Sequence, residues 1–201
     1  MRKKCPTGNG RAFFVSLCLL RLDNAFSVTI ERRLPQEMHA KLTELILFTD
    51  GSVNTRLHIG YGAYLAVPGP GRLSDELIAQ VKVKLFTQTS STKLELQTLL
   101  WALSEIPVSV CKLLIYTDSQ NIIGLPARRE RLEQRDYRSN KHVRLGNSEL
   151  YRGFYRLTDQ RDYELVKVNG HRPARQKDDI DRLFSLVDQA SRNALREATR
   201  G

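Results

Sequence analysis

The chain has 201 residues, 41% hydrophobic and 27% charged. That suffices for one compact domain and excludes a wholly disordered, collagen-like or disulfide-scaffold chain. Its 32 Lys and Arg against 22 Asp and Glu give a net charge of +10, which favours a polyanionic partner. The cysteines Cys5, Cys18 and Cys111 lack metal-ligand spacing, and a reduced, cytoplasmic setting is the simplest reading.

Residues 1–43 are an N-terminal extension without an assigned role. Its apolar run, Ala12 to Leu20, follows Arg2, Lys3 and Lys4 but is separated from them by Gly8-Asn9-Gly10-Arg11. The run is too short to span a membrane, and no small-x-small cleavage site follows, so it reads as a docking strand or short helix. Pro35 separates it from the domain at 44–201.

Leu45-Ile46-Leu47-Phe48-Thr49-Asp50 is a continuous apolar run ending in a carboxylate, the pattern of a central strand buried on both faces. Gly60 to Val67 is a second strand, and Pro68-Gly69-Pro70-Gly71 turns the chain. Leu77 to Phe86 is a third strand, in which Val81, Val83 and Leu85 alternate with Lys82, Lys84 and Phe86. These three form an antiparallel meander. A helix follows, capped by Ser90-Ser91-Thr92, with Leu96, Leu99, Leu100, Leu103 and Ile106 on one face and Pro107 at its end. Lys112 to Asp118 is a fourth strand, again apolar and again ending in a carboxylate. A short helix runs from Asn121 to Leu125. Residues 126–147 are polar and arginine-rich. Glu149 to Gln160 is helical, Tyr163 to Val168 is a fifth strand, and a helix from Asp178 to Arg200 closes the chain. The fold class is α/β, a mixed sheet with helices packed on it.

Phe48-Thr49-Asp50-Gly51-Ser52 and Tyr116-Thr117-Asp118-Ser119-Gln120 share one template. Singly, an aspartate at a strand end serves a turn or cap. Repeated at the ends of two apolar strands, where desolvating a charge is costly, the pair points to a shared site. Glu95 lies at the edge of the apolar face of its helix. Three converging carboxylates repel one another unless a cation neutralises them, and hard oxygen donors favour magnesium or manganese. Such a set suits two-metal phosphoryl transfer.

Thr-Asp-Gly-Ser, Thr-Lys-Leu-Glu-Leu-Gln, Tyr-Thr-Asp-Ser-Gln and Val-Asn-Gly-His, in that order over residues 45–200, resemble the ribonuclease H family. The resemblance implies a ribonuclease H-like five-stranded mixed sheet whose strands 1–3 form an antiparallel meander. It implies an endoribonuclease that cleaves the RNA strand of RNA–DNA hybrids with two divalent cations, Mg2+ or Mn2+. Asp50, Glu95 and Asp118 match the first three metal-binding carboxylates, and His171 matches the catalytic histidine, a proton shuttle on a mobile basic loop. Asp181 and Asp188 both lie along one edge of the last helix. The local sequence after Asp188 favours it as the fourth carboxylate, with Asp181 as the alternative.

Contacts to nucleic acid are expected from Ser52, Asn54, Ser91, Thr92 and Gln120, and from the basic residues Arg128, Arg129, Arg172 and Arg175. The basic segment after the fourth strand corresponds to the family's hybrid-binding handle but has no tryptophan; the only one is Trp101. Val53-Asn54-Thr55-Arg56 replaces a Gly-Asn-Pro-Gly-like stretch, and Ser91-Thr92 replaces an asparagine pair. These changes bear on how strictly a hybrid is demanded. The expected partner is an RNA–DNA hybrid, with no membrane, and the protein is expected to be a monomer. The alternatives are a nuclease of the same superfold with another nucleic-acid substrate, and a binding module without catalysis.

Overall fold

The computed structural model describes residues 44–69, 79–110, 112–168 and 178–200. The chain divides into units 1–40 and 41–201, and every described residue lies in the second. The expected element at Ala12 to Leu20, the three cysteines, and His171, Arg172 and Arg175 fall outside the described residues.

Five strands form one sheet: β1 (Glu44–Asn54), β2 (Ile59–Pro68), β3 (Lys82–Thr87), β4 (Lys112–Thr117) and β5 (Tyr163–Lys167). Their order is β3-β2-β1-β4-β5. β1 pairs antiparallel with β2, and β2 with β3, while β4 runs parallel to both β1 and β5. Among the described residues, the helices are α1 (Ser91–Glu105), α2 (Gln120–Ile123), α3 (Leu125–Gln134), α4 (Ser148–Thr158) and α5 (Asp179–Thr199). This is the ribonuclease H-like mixed sheet expected from the sequence, with its antiparallel meander.

The two-period of a strand explains the apolar run in β1. Leu45 and Leu47 enter one core with Leu96, Leu99 and Leu103 of α1 and Phe154 of α4. Ile46 and Phe48 enter the other with Leu65 of β2 and Leu183, Phe184 and Val187 of α5. A continuous apolar strand therefore feeds two layers, with α1 and α4 on one face and α5 on the other.

α1 ends where the sequence requires. Ile106 precedes Pro107 and is extended (φ −82, ψ 128), because the proline ring disfavours helical backbone in the residue before it. Arg161 donates to the carbonyls of Leu103 and Ile106 at 3.1 and 2.9 Å. At the other end Ser90 is the N-cap residue, but its side chain makes no capping bond, contrary to expectation.

The third strand is shorter than the sequence reading, and its alternation does not signal burial. Val83 and Leu85 are exposed, because β3 is the sheet edge. Lysines on an edge strand discourage pairing with another chain. Lys84 lies 5.5 Å from the ring centroids of both Phe86 and Trp101. Trp101 also packs on Tyr64 and donates to Glu105. The single tryptophan thus braces α1 against β2 and β3.

The arginine-rich segment is more ordered than its composition indicates. It begins with α3, led by Leu125 and Pro126, a proline being favoured in the first turn. It continues through a loop closed by a bridge between Arg138 and Arg144. Tyr137 anchors that loop: it is 5% exposed, has φ +55, and carries the Arg152 guanidinium 4.3 Å over its ring.

Glycines let α1 approach the sheet. A Cβ at Gly51 or Gly60 would meet Leu94 at 2.9 or 2.6 Å, and one at Gly62 would stand 2.0 Å from Thr98 Oγ1. Leu94 precedes Glu95, so this close approach sets the height of Glu95 over the strand ends. Gly62→Ala is expected to destabilise the fold by about 1–3 kcal/mol through overpacking. Gly146→Ala is the control, since nothing lies within 4 Å of its Cβ position. Urea unfolding of both variants checks this, and equal midpoints would contradict it.

Candidate active site

The register of β1 on β4 creates the site. Phe48 pairs with Tyr116, and Asp50 and Asp118 each stand two residues further along. Neighbouring strands are about 4.8 Å apart, so the two aspartates emerge side by side. Strand alternation gives Asp50 the parity of Ile46 and Phe48, toward α5. Beneath it Phe48 and Tyr116 stack at 5.2 Å. The fully buried Phe48 makes the floor of the site apolar.

That floor has an electrostatic consequence. The Asp50 carboxyl is pushed up to about 7, first by burial, then by the charge of Asp118, and also by the charge of Asp188 and a hydrogen bond with it. The backbone N–H of Gly51 opposes the shift. Glu95 reaches the same strand ends from α1. Its carboxyl is raised by burial and by Asp118, against hydrogen bonds from Ser119 and Ser91. Asp50 thus lies in the fields of Asp118 and Asp188, and Glu95 in that of Asp118.

Asp188, rather than Asp181, stands beside Asp50. Asp181 lies seven residues earlier, about 10 Å along the helix axis, buried in the first turn of α5. Its backbone N–H there donates to the Asp178 side chain at 2.8 Å.

The carboxylates are held apart by local partners. Ser119 Oγ donates to Glu95 Oε2 at 2.5 Å and accepts from the Ile122 N–H at 3.3 Å, so one buried serine caps α2 and holds Glu95. Arg192 Nε lies 2.7 Å from Asp188 Oδ1. Ser191 Oγ reaches Asp50 Oδ2 at 3.3 Å. Among the described residues, no three His, Cys, Asp or Glu side chains stand so as to hold one ion. The chemistry of the set nevertheless fits a hard divalent cation: the donors are all carboxylate oxygens, and burial plus mutual repulsion raises the protonation of Asp50.

The expected nucleic-acid contacts divide. Ser52 is half-buried, with its Oγ 3.3 Å from Ser191 Oγ. Ser91, Thr92 and Gln120 are exposed at the starts of α1 and α2. Asn54 Oδ1 accepts from the N–H groups of Arg56 and Leu57 at 3.1 and 3.2 Å, which shapes the β1–β2 turn. Arg128 and Arg129 differ most from expectation. Arg128 donates to the carbonyls of Gly124 and Asn121 and to Asn121 Oδ1, satisfying the C-terminal carbonyls of α2. Arg129 forks onto Asp159 at 2.5 and 2.9 Å, meets Glu133 at 2.8 Å, and covers the Tyr155 ring. Both tie helices together here.

The sequence reading missed Ser119, Ser191 and Arg192 as partners of the carboxylates. For Ser191 a signal existed: it continues the spine of Phe184 and Val187, where a polar residue needs a partner.

A mixed sheet whose parallel central strands carry adjacent aspartates just past the end of their pairing, with further carboxylates brought by a helix on each face, defines a ribonuclease H-like fold. The RNase H family model matches residues 42–189, well over half of the sequence, and the chain belongs to the RNase H family. A comparison with curated proteins gives no match. Among the described residues, no helix is long and apolar enough to cross a membrane.

The raised Asp50 carboxyl gives a signed prediction for the cation-free protein. Its folded pKa, about 7, exceeds the ordinary 3.8. Between these values the folded state binds more protons, so stability falls as pH rises from about 4 to about 7 and then levels. Asp50→Asn removes that loss and is expected to be about 1–3 kcal/mol more stable than the wild type at pH 8, converging with it near pH 4. Thermal unfolding in EDTA across this range checks it; a parallel pH dependence in both proteins would contradict it.

Proposed function

We propose that the protein is an endoribonuclease that hydrolyses the RNA strand of RNA–DNA hybrids, with two divalent cations, Mg2+ or Mn2+, held by Asp50, Glu95, Asp118 and Asp188. The observation that carries this reading is the placement of Asp50 beside Asp118 and Asp188 over an apolar floor, with Glu95 in the field of Asp118, in a member of a nuclease family. Residues 44–201 carry the activity, and residues 1–43 are an extension to it. The net charge of +10 suits a polyanionic substrate.

The chemistry such cations supply when bound is Lewis acidity toward a phosphate oxygen and a lowered pKa for water. The protein's own groups do the rest. Asp50 and Asp118, fixed by strand register, present oxygens from a rigid sheet. Glu95, which Ser119 bonds, and Asp188, which pairs with Arg192, would hold the cations with them. The Ser91 hydroxyl beside Glu95, and the exposed hydroxyl of Thr92 and amide of Gln120 at the starts of α1 and α2, are the groups to hydrogen-bond a ribose 2′-OH. His171 is the proton carrier for the leaving oxygen, because an imidazole titrates near neutrality. Arg172 and Arg175, close to it in sequence, contribute charge for the phosphate backbone. Because Arg128 and Arg129 have internal partners, and Arg135 and Arg138 bond Asn140 and the His142 carbonyl, backbone binding by the arginine-rich segment falls more on the exposed Arg131. A monomer in a reduced, cytoplasmic compartment completes the reading.

The test is incubation of end-labelled RNA–DNA hybrid, double-stranded RNA and double-stranded DNA with the protein in Mg2+, Mn2+ or EDTA. Internal cuts confined to the RNA strand of the hybrid are expected, with none in EDTA. Asp50→Asn, Glu95→Gln and Asp118→Asn are each expected to lower the rate about a thousandfold or more. Cleavage of another substrate would assign the same fold a different specificity. Binding of the hybrid without turnover in either metal would make the protein a binding module and overturn the reading.

A further inference from the structure

We propose that Ser191 is a positioning residue for the cation site, a buried hydroxyl strut that fixes one oxygen of Asp50 and leaves the other for the cation. The inference rests on the function proposed above and goes beyond its four carboxylates. Ser191 is 0% exposed, on the side of α5 that faces β1. Its Oγ lies 3.3 Å from Asp50 Oδ2, 3.3 Å from Ser52 Oγ and 3.0 Å from the Asp188 carbonyl.

A hydroxyl has one proton to give and two lone pairs to receive with. The Asp188 carbonyl and Asp50 Oδ2 compete for that one proton. A donating bond to an ionised carboxylate is about twice as strong as one to a neutral carbonyl. The Ser191 hydroxyl is therefore set to donate to Oδ2 of the Asp50 carboxylate. Ser52 Oγ, two residues along the same face of β1, stands 3.3 Å from Ser191 Oγ. The chain Ser52 to Ser191 to Asp50 links α5 to β1 at the level of the carboxylates. Asp188 is one helical turn away on the same helix, so the strut also sets the spacing between two of the four carboxylates.

Partners of this kind orient ligand side chains, and removing one typically lowers metal affinity about 10–100-fold. The experiment measures Mn2+ binding to the full-length protein by the electron paramagnetic resonance signal of free Mn2+, with Mg2+ binding followed by calorimetry. Ser191→Ala is expected to weaken Mn2+ binding about tenfold or more. It should also raise the Mg2+ concentration giving half-maximal hybrid cleavage more than it lowers the saturating rate. Ser191→Cys keeps most of the volume at this fully buried position and loses the strong donor, so it should behave alike. Thr199→Ala is the control, because that hydroxyl bonds its own helix at Leu195 and Arg196; it should bind Mn2+ as the wild type does. Unfolding midpoints in EDTA separate a folding defect from a site defect. Wild-type Mn2+ affinity in folded Ser191→Ala and Ser191→Cys would overturn the proposal while leaving the proposed function standing. Absence of cation binding by the wild type itself would instead overturn the proposed function.

Discussion

The parallel pairing of β1 with β4 is the constraint from which the rest follows. Its register, Phe48 on Tyr116, is fixed by two buried faces, since a slip of one residue would turn every apolar side chain of β1 into the wrong layer. That register leaves Asp50 and Asp118 no choice but to stand together. Helices on opposite faces then bring Glu95 and Asp188 to the same strand ends. The hydrophobic effect builds the frame, and the frame forces like charges into proximity.

This opposition gives the site its character. Stability resides in the two cores on either side of β1, both of which end beneath the carboxylates. The Phe48–Tyr116 stack that seals one core also withholds water from Asp50. Crowded, partly buried carboxylates cost stability, and Glu95 and Asp188 take a serine and an arginine as partners. Under the function proposed above, bound cations would offset that cost, and the same electrostatics would favour their binding.

Much of this was legible in the sequence because strands and helices have different periods. The run Leu45 to Phe48 could only satisfy burial on both faces, and a second such run ending in the same Thr-Asp placed the site at adjacent strand ends. The position of Glu95 at the edge of an apolar helical face was equally readable. The choice between Asp181 and Asp188 was not settled that way. Seven residues are nearly two full turns, so a helical wheel superimposes them; only the height of α5 against the sheet separates them. The helix Leu125–Gln134 carries just two buried residues, Leu125 and Leu132, and so lacks an apolar stripe. Its Leu, Arg and Glu content was the remaining signal. The internal roles of Arg128 and Arg129 were hidden because their partners, Asn121 and Asp159, are set by how helices pack rather than by local spacing.

The most direct measurement is the anomalous scattering of crystals of the protein soaked in Mn2+. Peaks bounded by the carboxylates of Asp50, Glu95, Asp118 and Asp188 are the expected result. Manganese bound elsewhere would contradict a shared cation site and the chemistry built on it.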